Sequence, residues 1–76
     1  MVHTIEFRVS GLVQLESPGK VTPVQVLIEK GTRVRAEIKP YVVESDTGPI
    51  EVADLLSEDG SATRGVRFAH FRFLDK

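Results

Sequence analysis

The stretch Val24-Gln25-Val26-Leu27-Ile28-Glu29-Lys30-Gly31-Thr32-Arg33-Val34-Arg35-Ala36-Glu37-Ile38 decides the fold. Two runs rich in β-branched residues flank a loop whose third residue is glycine, the residue that accepts a left-handed backbone most cheaply. With Glu29-Lys30-Gly31 as the loop, Ile28 faces Thr32, Val26 faces Val34 and Val24 faces Ala36. Those pairs make one apolar face, and Leu27 with Arg33 and Gln25 with Arg35 make the other. A two-residue loop at Lys30-Gly31 would set the same apolar residues against Arg33, Arg35 and Glu37. Burial of one face fixes register, so the sequence predicts a hairpin with the three-residue loop.

Working outward, Thr4 to Leu15 alternates with period two: Ile5, Phe7, Val9, Val13 and Leu15 share one parity. Gly11 within that run predicts a bulge or bend, and Ser17-Pro18-Gly19 ends it. Lys39 to Glu44 continues or restarts the second strand of the hairpin. Pro40 there offers no ladder donor and belongs at an edge, a bulge or a strand boundary. Residues 50–57 read either as a short helix between Pro49 and Gly60 or as a strand. The strand reading pairs them with 61–68 around Glu58-Asp59-Gly60. Leu56 then faces Ala62, Val52 faces Val66, Ile50 faces Phe68, Asp54 faces Arg64 and Glu51 faces Arg67. Three apolar and two opposite-charge pairs in one register favour the hairpin. A bulge or one short turn near Ala69-His70 would bring Phe68, Phe71 and Phe73 inward together, in a last strand beside the first.

Eleven Val, four Ile and five Thr support the same class. The expected fold is all-β: a single domain over 1–76, a five- to six-stranded antiparallel small barrel or compact sandwich built from hairpins, with a short helix at 50–57 as the alternative.

At 76 residues the chain is too short for an enzyme with a deep, enclosed site. It has no cysteine, so neither disulfides nor thiolate chemistry enter, and a cytoplasmic location is the default expectation. The N-terminus shows no signal-peptide pattern and no stretch is apolar enough to span a bilayer. Net charge is -1, against the positive excess of a phosphate-backbone binder. The charge is blocked along the chain. Residues 44–63 hold six acids and no base, between segments in which bases outnumber acids.

No phosphate loop, nucleophile elbow or zincin motif is present. His3 and His70 with Glu6 or Asp75 lack metal-ligand spacing, so the expectation is no metal and no cofactor. Glu51, Asp54, Glu58 and Asp59 read as solvated acids beside arginines rather than an acid/base pair. Arg33, Arg35 and Lys39 line one parity, with Glu37 among them. Leu12, Leu27 and Leu55 fall on otherwise polar parities and read as one outer apolar patch. The expectation is a non-enzymatic protein-binding or self-assembly module, homo-oligomeric, using those six residues. The alternative is a weak nucleic-acid-binding small barrel.

Overall fold

The computed structural model describes residues 1–75. It is all-β, one curled antiparallel sheet forming a half-barrel. The strands are β1 (Val2–Phe7), β2 (Gly11–Glu16), β3 (Val24–Ile28), β4 (Arg33–Ser45), β5 (Gly48–Ser57), β6 (Ala62–Arg67) and β7 (Phe71–Phe73), with a 3₁₀ turn at Phe68–His70. Their order across the sheet is β3-β2-β6-β5-β4-β1-β7. Residues 50–57 are strand, so the helical alternative fails. The strand count exceeds expectation because the Thr4–Leu15 run breaks at Arg8–Ser10, just before Gly11, into β1 and β2.

The deciding stretch behaves differently from its reading. Gly31 takes a left-handed φ of 93° and Thr32 N–H donates to Glu29 O at 3.0 Å, so the chain reverses as expected. Yet β3 and β4 do not pair. Phe7 occupies the ladder between them: Gly31 N–H donates to Phe7 O at 2.8 Å, and Phe7 N–H donates to Thr32 O at 2.9 Å. Val34 therefore faces Ile5, while Val24, Val26 and Ile28 face Leu15, Val13 and Gly11 of β2. Phe7 and Ile5 bring more apolar surface to β4 than Val24 and Val26 do, and burial decides the pairing.

The inner face carries the core: Ile5, Phe7, Ala36, Ala53, Leu55, Val66 and Phe71 are buried, with Phe68 and Phe73 packed against them. Burying a Leu, Ile or Phe side chain contributes roughly 1.5–3 kcal/mol. The 3₁₀ turn re-aims the chain so that all three C-terminal phenylalanines point inward, and β7 pairs with β1. The expected β5–β6 hairpin forms, with Leu56 opposite Ala62. Beyond Leu55 a bulge shifts it, so Val52 faces Arg67 and Ala53 faces Val66. Ile50 pairs instead with Val43, and Glu51 with Val42.

β4 and β5 outrun their neighbours. β1 covers β4 only as far as Glu37, and β6 covers β5 only as far as Val52. Residues 42–51 therefore form a two-stranded arm, extending about 13 Å past Tyr41 at the usual rise per residue. Exposed Val42, Val43 and Glu44 follow from having no third layer to pack on.

Candidate functional site

The most distinctive surface is the outer face of β2 and β3. Leu12 and Leu27 stand directly opposite each other and are 65% and 60% exposed. The pairing of β2 with β3 brings these two expected patch residues together. Leu55 corrects the expectation: it is fully buried in the core. Ala53 and Leu55 share the β5 parity that stands opposite Pro40 and Ile38 of β4 and faces inward, and Asp54 takes the outer position between them.

The edges of the sheet differ in how they are protected. Antiparallel ladders point alternate amides to alternate sides. The Phe7 N–H bond to Thr32 fixes the phase for β4, so even-numbered residues from 38 to 44 face past the end of β1. Pro40 is one of them. On β5, the Ser57 N–H bond to Ser61 O points odd-numbered amides toward β6, and Pro49 faces that open side. A proline thus sits on each free edge of the β4–β5 ladder, Pro49 within the arm and Pro40 just before it, where its missing N–H discourages strand pairing. The β7 edge is only three residues long, and Phe71 N–H is already bonded to Phe68 O.

β3 is different. Carrying the same alternation across β6 and β2 points the Gln25 and Leu27 amides outward. Val24, Gln25 and Leu27 are exposed and Val26 and Ile28 half-buried, and no charge or proline lies within the strand, Pro23 standing just before it.

The basic residues are partly neutralised. Arg33 and Arg72 both bond Glu6, at 3.4 Å and 2.9 Å, in a row across β4, β1 and β7. The Arg72 bond, then that of Arg33, holds the Glu6 carboxyl below its ordinary range despite some desolvation. Lys39 contacts Glu37 at 2.8 Å. That bond, joined by the N-terminal amine, lowers the Glu37 carboxyl in turn. Arg35 has no ion-pair partner among the described residues. The three expected residues do share the outer face of β4, but two of them are engaged.

Sequence reasoning missed a second basic feature. Arg8, Lys30 and Arg72 line an open concavity of about 450 Å³ with Glu6 and Gly31. Arg8 and Lys30 belong to separate connections, and only the insertion of β1 beside β4 unites them. The mouth of the curl holds another cleft of about 340 Å³, walled by Phe7, Val9, Leu12, Val13, Ile28 and Val66.

The acidic block scatters. Asp54 is tied into the bulge. Its Oδ1 accepts from Gly65 N–H at 3.0 Å and Tyr41 hydroxyl at 2.9 Å, and its Oδ2 from Arg64 at 2.6 Å. Arg64 also reaches Glu16 at 2.8 Å, linking β5, β6 and β2. Burial pushes the Asp54 carboxyl up, but the bonds from Gly65, Arg64 and Tyr41 outweigh it and leave it below the usual range. The same contact, with desolvation, raises the Tyr41 hydroxyl.

His3 lies 3.5 Å from Asp75 and packs edge-on against Phe73, while His70 sits in the 3₁₀ turn. Among the described residues no three His, Asp or Glu side chains converge on one point, and no helix is long and apolar enough to cross a membrane. No known protein family, curated protein or solved structure matches the chain.

Proposed function

We propose that this protein is a non-enzymatic self-assembly module, in which two copies join through β3. The observation carrying this reading is the contrast between edges. Pro40 and Pro49 blunt the arm and Phe68 O occupies a β7 amide, whereas β3 is open, uncharged and bordered by the Leu12–Leu27 pair. An unprotected edge of this composition is a template for another strand. Antiparallel pairing of β3 with β3 of a second copy brings both leucine pairs to one outer surface. The edge is short, so the area falls below that of a standard stable interface and the association is weak.

Sedimentation velocity of wild type and Leu27→Lys tests this. Wild type is expected to shift from monomer to dimer or larger species as concentration rises into the high micromolar range. Leu27→Lys is expected to lose the β3-paired dimer with an unchanged dichroism spectrum. A wild-type chain that stays monomeric throughout would remove the proposal.

The second reading, single-stranded nucleic acid, draws on Arg35, Arg8 and Lys30, which have no ion-pair partner among the described residues. Against it stand the engaged Arg33 and Lys39, and the inward burial of the phenylalanines that base stacking would need.

A further inference from the structure

We infer that the acidic tip of the β4–β5 arm docks against the basic concavity of a second copy, a head-to-tail contact distinct from the β3 edge. It rests on the reading that this chain associates with itself. The tip carries Glu44 and Asp46, with Glu51 at the base of the arm, and none has an ion-pair partner among the described residues. The concavity carries Arg8 and Lys30, likewise unpaired, with Arg72 beside them. Its one acid, Glu6, is already shared by Arg33 and Arg72.

Geometry makes the contact intermolecular. β4 begins at Arg33, beside the concavity, and ends at Ser45, at the tip of the arm. A 13-residue strand spans about 40 Å when straight, and the long axis of the molecule is 35 Å. The two charge clusters therefore lie at opposite ends of the molecule. That separation is several screening lengths in physiological salt, about 8 Å each, so they cannot satisfy one another within one chain.

The arm is also built for docking by its faces. Its edges carry Pro40 and Pro49, so strand addition does not compete, and exposed Val42 and Val43 supply apolar contact next to the acids. A tip of one sign and a socket of the other, on different patches, form a heterologous contact that propagates into chains unless rotation closes a ring.

The test uses two double variants of the full chain, Arg8→Glu/Lys30→Glu and Glu44→Lys/Asp46→Lys. All four positions are exposed, and the dichroism spectrum of each variant is checked against wild type. Each variant alone is expected to lose the species larger than a dimer, a weakening of at least about tenfold for like charges brought together. An equimolar mixture is expected to restore them, because each reversed cluster then meets its complement. Raising salt is expected to dissolve the same species in wild type while leaving the Leu27-dependent dimer. If Leu27→Lys disperses the assembly but charge reversal and salt do not change its size, the head-to-tail contact is wrong and the self-assembly reading stands. If wild type is monomeric at every concentration, the self-assembly reading itself fails. If Arg8→Glu/Lys30→Glu abolishes retention on a single-stranded DNA resin without altering assembly size, the basic concavity serves nucleic acid and the head-to-tail contact is overturned.

Discussion

Asp54 and Gly65 are bonded across the β5–β6 bulge, carboxylate to backbone amide, at 3.0 Å. One residue on β5 there opposes two on β6, Arg64 and Gly65, and Asp54 satisfies a donor from each. Gly65 holds a left-handed φ of 64°. A bulge bends and twists its strand, and here it is closed by a charge-assisted pair.

Replacing Asp54 with Ala is expected to lower unfolding stability by about 1–3 kcal/mol, since the Gly65 amide and Arg64 lose their acceptor. Gly65→Ala is expected to cost about 1–2 kcal/mol through its backbone conformation alone. An added Cβ there would approach only the Tyr41 hydroxyl, at an ordinary 3.8 Å. Urea unfolding curves of both variants measure this, and a Gly65→Ala midpoint equal to wild type would contradict the strained geometry.

Acid should destabilise the protein in a defined direction. Asp54, Glu6 and Glu37 all titrate below their ordinary values in the folded chain. The unfolded chain therefore takes up protons at higher pH than the native one does. Their contribution is fully present above the ordinary carboxylate range, about pH 4–5, and is lost as pH falls through the folded values beneath it. Urea midpoints at pH 7, 5 and 3 should show a plateau and then a fall, shallower in Asp54→Asn. A midpoint unchanged at pH 3 would sink the assignment.

The leucines divide into two kinds. Leu55→Ala is expected to cost about 2–5 kcal/mol, the range for cavities in close-packed cores. Leu12→Ser is expected to change folding stability by no more than about 0.5 kcal/mol, as exposed sites do, while weakening self-association. Thermal unfolding beside sedimentation separates the two. Equal destabilisation by both substitutions would contradict the burial pattern.

The prolines of the arm should matter for solubility, not for folding. Pro40→Thr and Pro49→Thr restore a donor on each free edge. Together they are expected to promote strand-to-strand aggregation, seen as rising static light scattering over hours in a chain that folds normally. Scattering identical to wild type would show that the arm edges need no protection.

Much of the fold was legible because local chemistry and burial agreed. Glu58-Asp59-Gly60 closes its hairpin, Asp54 meets Arg64, and the turn before Phe71 brings three phenylalanines inward. The β3–β4 pairing was not legible. Gly31 signals a reversal, but only the competition between distant strands for β4 decides which strand fills that ladder, and Phe7 lies far away in sequence. The bulge hid for a related reason: one extra residue on β6 shifted every pair beyond it. Of the outer patch, Leu12 and Leu27 were legible by parity and Leu55 was not. The Arg8–Lys30–Arg72 concavity depends on the same unforeseen placement of β1.

Amide hydrogen exchange at Gln25 and Leu27 tests the open β3 edge most directly. Both amides point away from β2, so a lone chain leaves them to water and an edge-paired chain does not. Slow exchange is expected at both positions at high protein concentration and fast exchange on dilution, with Val26 protected throughout by β2. Fast exchange at Gln25 and Leu27 at every concentration would contradict it.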